Sequence, residues 1–398
     1  MSQELSDLAA RLRQSMLSQG RVPRGPDSKG ENGGSYNPPR QEFDSFALEL
    51  FALQFKYNGA YRTICQARGL TPDVVEHWTR IPAVPTTAFK ELELSCIPSK
   101  ARTAVFHSSG TTERKPSRHF HSAESLHIYE TALWQWFQRN VQSDLRFTIC
   151  DSRWICLTPP PEQAPHSSLV HMFETARSRA CENADHPFFG AVAADGSWVL
   201  DSDAVLTALS PGLKTPDPRP CLLLGTAFSF VHLLDFLGQR DLRLQLPTGS
   251  RVMETGGYKN RSRALPKEEL HTLVAEWLGI PTENILCEYG MSELSSQAYD
   301  HVAGDEWQVT GNAVSRHPSP VTRRFRFPPW ARAQIISPET GREVAEGETG
   351  LIRVFDLANV FSVMAVQTED LGVRRGDGFE LIGRAQLAEP RGCSLASA

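Results

Sequence analysis

Five short segments of this 398-residue chain group residue types that do chemistry together. After an apolar run, Phe106-His107-Ser108-Ser109-Gly110-Thr111-Thr112, with Lys115 close behind, presents hydroxyls and backbone N–H groups around one glycine. Such a loop suits a phosphate chain, because several donors converge on one point. The GxxxxGK[ST] pattern of a P-loop is not there. A second segment, Glu254-Thr255-Gly256-Gly257-Tyr258-Lys259, carries paired glycines that let backbone approach a flat ligand closely. In the third, Tyr289-Gly290-Met291-Ser292-Glu293, a ring can stack on a base while a carboxylate one turn later can hold Mg²⁺ with phosphate oxygens.

The fourth is Thr368-Glu369-Asp370, with Gly383-Arg384 on the next run. An aspartate can accept from both hydroxyls of a ribose, and an arginine can reach the sugar or the α-phosphate. The fifth is Arg391-Gly392-Cys393-Ser394, where a thiol near an arginine on a glycine-containing tail could act as a nucleophile. Taken singly, four have a plainer account, namely a turn, a strand-to-helix turn, a buried tyrosine beside a solvated glutamate and an inert tail cysteine, and the fourth segment carries almost no information. Their combination in this order is the signal.

The elements that must position them follow from periodicity. Phe43, Phe46, Leu50, Leu53, Tyr57, Tyr61 and Ile64 recur at intervals of three and four, predicting one amphipathic helix from Phe43 to Ala67. A second helix start is expected at Asp73, before Pro82 and Pro85 impose an extended connection. Thr103 to Phe106, Trp154 to Leu157, Cys221 to Leu224, Ser250 to Glu254 and Asn284 to Glu288 read as buried strands. Ala123 to Phe137 and Lys267 to Leu278 read as helices. That alternation predicts an α/β architecture. Residues 1–42 are expected to form a partly flexible tail, 43–308 an α/β core, and 309–398 a β-rich subdomain with the tail that carries Cys393. Residues 20–40, rich in Gly, Pro, Ser and charge, cannot offset the entropy of ordering.

Bulk properties exclude several classes. With 40% hydrophobic and 22% charged residues, the chain is neither collagen-like nor disordered. A net charge of −5 offers no basic field for nucleic acid or anionic membrane. The most apolar stretch, Cys221 to Gly238, is interrupted by His232 and Asp235 and reads as core, not as a membrane span. Eight cysteines without a CxxC pair argue for free thiols in a reducing, cytoplasmic setting, seven of them packing as small hydrophobes. His119, His121 and His127 lack the partners that would complete a metal site. His232 is read as a core histidine, with a place near a substrate carboxylate as its sharper alternative.

Together the five segments resemble the adenylate-forming enzymes, and within them the acyl-protein synthetases, the LuxE-type long-chain-fatty-acid–protein ligases; phenylacetate-CoA ligases are next. The likeness runs over roughly residues 43–395 and includes LQFKYNGAYR, IPAVPTTAFK, the SSGTT loop, GGYK, YGMSE and EPRGCSL. It implies the large-domain fold of that superfamily, with ATP and Mg²⁺ as reactants. Ser108, Ser109, Gly110, Thr111 and Thr112 match the loop that grips the ATP phosphates, and Gly256 and Gly257 the pair lining the adenine site. Tyr289 matches the ring stacked on adenine, Ser292 and Glu293 the positions binding phosphate and Mg²⁺, Asp370 the ribose acid, and Arg384 the hinge arginine. Cys393 matches the cysteine these synthetases acylate.

Two departures stand out: Glu113 puts an acid beside the phosphate loop and is expected to face solvent, and Ala385 follows the hinge arginine where lid-bearing ligases carry an acid. Few residues follow Arg384, so the mobile lid and its lysine are expected to be missing. Lys259, Lys115 or Arg384 would then stabilise the developing charge. The resemblance implies activation of a carboxylic acid, a fatty acid, and transfer to Cys393 for delivery to an acyl-CoA-reductase-like partner. A CoA ligase lacking a lid and a non-catalytic scaffold of the same fold are the alternatives.

Overall fold

In the computed structural model the described residues are 2–19, 40–108, 115–142, 149–180, 187–210, 218–256, 265–302 and 323–385. Among them an 11-stranded sheet forms the backbone of the molecule. Its first half is parallel: Arg153–Cys156, Cys221–Thr226, Arg251–Thr255 and Ile285–Tyr289 lie side by side in chain order. These strands are buried along almost their whole length, which is why they read as continuous apolar runs. Helices Ala227–Gln239 and Lys267–Leu278 cover one face, over a core of Leu223, Val231, Leu234, Val252, Leu270 and Val274. Helices Ala123–Val141 and Ser168–Ala180 cover the other, over Phe106, Leu133, Phe137, Leu222, Met253 and Leu286.

Beyond Ile285–Tyr289 the pairing becomes antiparallel. Ala298–Val302 pairs with it, Arg323–Arg326 pairs next, and Gly378–Arg384, Ala365–Arg375, Thr349–Asp356 and Ala331–Ile336 complete the sheet. The β-rich texture late in the sequence is therefore a meander that extends the same sheet. Val84–Pro85 lies parallel on Ala365–Arg375, an off-path position that tolerates a proline with no N–H.

The expected single helix from Phe43 to Ala67 is two helices, Arg40–Tyr57 and Gly59–Ala67. Asn58 makes the break: its side chain accepts from Tyr61 N at 3.1 Å, capping the second helix, and its Nδ2 donates to Ser362 O at 3.3 Å. A residue that satisfies its own backbone this way stops a helix that apolar spacing alone would continue. No α-helix begins at Asp73; turns lead to the short 3₁₀ segment Trp78–Arg80, capped by His77. Near the amino end, Gln3–Gln19 is a helix that buries Leu5, Leu8, Leu12 and Met16. The low-complexity stretch 20–39 lies outside the described residues. Of the cysteines expected to pack as small hydrophobes, Cys150 is exposed instead. No helix among the described residues is long and apolar enough to cross a membrane.

Candidate active site

The carboxyl ends of the parallel strands are where open α/β sheets bind ligands, and four of the five segments meet there. The hairpin Ala104–His107 and Arg118–His121 holds the neck of the phosphate loop. At that neck Ser108 Oγ accepts from Ser117 N at 3.0 Å. Ser109, Gly110, Thr111, Thr112 and Glu113 lie outside the described residues. Ser117 Oγ is 3.3 Å from Ser292 Oγ, and His119 Nδ1 donates to Ser292 O at 2.8 Å. These contacts bring the first and third segments together across 175 residues of sequence. Since a carbonyl only accepts, the contact fixes the His119 tautomer with its proton on Nδ1. Burial pushes His119 down to about 4, so the ring is neutral.

Ser292 and Glu293 are themselves buried, and Ser292 Oγ donates to Glu293 Oε2 at 3.0 Å. Behind them Asn359 Nδ2 donates to Glu293 O at 2.8 Å, Ser295 N to Asp356 Oδ2 at 2.8 Å, and Ser296 Oγ to Asp356 Oδ1 at 2.7 Å. Asp356 and Asn359 thus clamp residues 293–296. Sequence reasoning missed both; the signal was an acid and an amide inside the apolar run FDLANVF.

Tyr289 ends its strand with the ring edge-on to Phe379 at 5.4 Å and Phe325 at 6.1 Å, and its hydroxyl donates to Asp370 Oδ2 at 2.9 Å. The expected adenine ring and ribose acid are therefore neighbours, 81 residues apart in sequence. Asp370 faces Arg384 in the strand register beside an irregularity at Leu371/Gly372, with Arg384 Nε 3.9 Å from Asp370 Oδ1 and Nη2 3.8 Å from Glu369. Burial raises the Asp370 carboxyl, while the Tyr289 hydroxyl and the Arg384 charge pull it back. Arg384 is 78% exposed, so its ion pair is worth little by itself.

Gly256 adopts φ +71°, and a Cβ there would meet nothing within 4 Å. The demand for glycine is conformational, as expected where backbone turns out of a strand. Gly257 and Lys259 lie outside the described residues, as does Cys393. Lys115 is not drawn into the cluster: its ammonium lies 3.6 Å from Glu91 at the surface. His232, expected in the core, is exposed and rests edge-on to Phe228 at 4.4 Å.

Residues 214–398 match the family acyl-protein synthetase, LuxE. Over that part the chain is similar to the acyl-protein synthetases. It is 24% identical over 386 residues to a long-chain-fatty-acid–luciferin-component ligase of Aliivibrio fischeri, covering 92% of this chain and 90% of that protein. To the ligase of the same name from Vibrio harveyi it is 24% identical over 364 residues, covering 86% and 84%. In fold it is similar to 2-hydroxyisobutyryl-CoA ligase in an open conformation, with a TM-score of 0.60 at 14% identity, over 91% of this chain and 81% of the other. A second structure of that ligase, in the postadenylation state, gives 0.58 at 14% identity over 92% and 72%. The α/β fold is that of the adenylate-forming enzymes.

The residues present fit the reactants this family implies. One buried carboxylate, Glu293, with the Ser292 hydroxyl beside it matches the habit of Mg²⁺, which takes one or two carboxylates and completes its shell with phosphate oxygens and water. Among the described residues no set of three His, Cys, Asp or Glu side chains is placed to hold a metal alone.

Proposed function

We propose that the chain activates a fatty acid with ATP and then carries the acyl group on its own cysteine. The observation that supports this best is the contact set joining Ser117, His119, Ser292 and Glu293 beside Tyr289 and Asp370. In the first step a carboxylate oxygen attacks the α-phosphorus, the bond to the bridging β-oxygen breaks, and pyrophosphate leaves an acyl adenylate. Tyr289, Gly256 and Gly257 border the adenine, Asp370 accepts from the ribose hydroxyls, and the loop Ser108 to Thr112 receives the phosphates. Glu293 and Ser292 would hold Mg²⁺, which neutralises phosphate charge when bound. Lys259 and Arg384 supply the positive charge this transition state needs; Lys115, paired with Glu91, is the weaker candidate.

In the second step the Cys393 thiolate attacks the acyl carbonyl, the mixed anhydride opens, and AMP leaves a thioester. An acyl-CoA-reductase-like protein is the acceptor we favour, in the cytoplasm, where a free thiol persists.

Intact-mass measurement on the full chain with acid, ATP and Mg²⁺ tests this. The expected result is a gain of one acyl group that disappears in Cys393→Ala. A gain that persists in the variant removes Cys393 from the mechanism, and CoA-dependent AMP release undiminished in that variant assigns the acyl group to CoA instead.

A further inference from the structure

The strand Ile285–Tyr289 has two faces at its carboxyl end. Tyr289 points toward Asp370 and Phe379; Glu288, one residue earlier, points to the opposite face, toward helix Ala123–Val141. There the strand register sets Glu288 directly opposite Tyr299, and Gln297 lies on the same face two residues before Tyr299. The Glu288 carboxyl curls over Gly290 so closely that a Cβ there would stand 2.3 Å from its Oε1 and 3.4 Å from Gln297 Cγ. Thr255, at the end of the adjacent parallel strand, donates to Glu288 Oε2. Tyr129 reaches the same place from the helix, its hydroxyl donating to Ser168 O at 3.4 Å.

All these side chains are buried, Tyr299 completely and Gln297 and Glu288 to 5% exposure. Among the described residues, however, the Tyr299 hydroxyl and Gln297 Oε1 have no hydrogen-bond partner. Buried polar atoms left unpaired cost on the order of 1–3 kcal/mol each, so a fold keeps two of them together only where something else satisfies them. An aliphatic chain could not. The two unpaired atoms differ in kind, a phenol hydroxyl that can donate and an amide oxygen that only accepts, so the group that completes both must accept and donate, as a hydroxyl does. The cluster sits at the carboxyl edge of the parallel strands, with Glu288 one residue from Tyr289 and three from Met291, where open α/β sheets bind ligands.

We propose that Glu288, Gln297 and Tyr299 form a substrate subsite that takes a hydroxyl group carried on the carboxylic acid, so that the preferred substrate is a hydroxylated acid and not a plain saturated one. This rests on the acid-activation reading above and names its substrate class. Burial supports it by pushing the Glu288 carboxyl up to about 7, close to a neutral form that both donates and accepts. A site built around hydrogen bonds rejects the analogue that lacks the hydroxyl, because its own groups then stay unpaired.

The test is pyrophosphate exchange by the full chain with matched saturated acids, with and without one hydroxyl moved along the chain. At one hydroxyl position the hydroxylated acid should show kcat/KM about tenfold above its plain partner, the value of one well-made hydrogen bond. Tyr299→Phe and Gln297→Leu should each collapse that ratio toward one, while thermal melting confirms that the variants fold. A preference for plain acids at every position, or a hydroxyl preference that survives both substitutions, overturns the subsite and leaves acid activation standing. If no acid supports exchange, activation itself fails; calorimetric titration with the acids alone then decides the subsite. Tighter binding of the hydroxylated acid, weakened by Tyr299→Phe, upholds it, and equal binding of the pair overturns it.

Discussion

The two faces of one strand end differ in a way that separates the parts of the site. On the Tyr289 face the polar atoms find partners within the protein: Tyr289 meets Asp370, and Asp370 meets Arg384. On the Glu288 face, which is buried more deeply, two polar atoms have none among the described residues. Both faces hang from the same five residues, Ile285–Tyr289, so the strand's alternation alone sends one side chain to each. A face completed by its own residues is preorganised; a face left incomplete is waiting for a ligand group.

The largest effect is expected in the loop that follows this strand. Glu293→Gln removes the charge expected to face Mg²⁺, and pyrophosphate exchange should fall by about 100-fold or more, with KM for Mg·ATP rising. An unchanged rate would remove Glu293 from metal binding. Asp356→Ala strips three partners from residues 295–358, namely Ser295 N, the Ser296 hydroxyl and Ala358 N. Denaturant unfolding should show a loss of about 2–4 kcal/mol, as expected for a buried hydrogen-bonded acid.

Glu288 ties stability to pH with a definite sign. Its folded value, near 7, lies above the ordinary 4.5, so the folded state binds the extra proton. The contribution is fully present below about 4.5 and is lost as pH rises through 7, on the order of 3 kcal/mol. His119, held down to about 4, works the other way, losing its contribution as pH falls below 6.5. The difference between wild type and Glu288→Gln isolates the carboxyl: it should slope between pH 5 and 7, and a flat difference means Glu288 is an ordinary carboxylate. The smallest effect belongs to the completed face. Tyr289→Phe deletes one hydrogen bond to Asp370, and should cost about 1 kcal/mol in unfolding and a few-fold in KM for ATP. A loss confined to the acid's KM would reverse the assignment of the two faces.

Much of the fold was legible in the chain. The apolar runs at Cys221–Leu224, Ser250–Glu254 and Asn284–Glu288 announced buried strands, found at Cys221–Thr226, Arg251–Thr255 and Ile285–Tyr289, and Lys267–Leu278 showed its helix to the residue. The break at Asn58 was not legible, because apolar spacing continues across it and only a long-range contact to Ser362 makes the cap worth keeping. The candidate site was half legible. Tyr289, Ser292, Glu293, Asp370 and Arg384 stood out by type and order. Asp356, Asn359, Gln297 and Tyr299 did not, since nothing local distinguishes a clamp or an unpaired hydroxyl from ordinary polar residues.

By itself the sequence determined which atoms are available: a hydroxyl-rich loop, a tyrosine and a carboxylate one turn apart, an aspartate, an arginine and a late thiol. Those are chemical identities, set by composition and order, and short motifs carry them intact. The tertiary structure decided which of them meet. Ser117 reaches Ser292 and Tyr289 reaches Asp370 because the packing of elements that are not sheet neighbours brings together residues far apart in the chain. It alone decided that Glu288 is buried beside unpaired partners, since hydrogen-bond satisfaction is a property of the packed interior that no local pattern encodes.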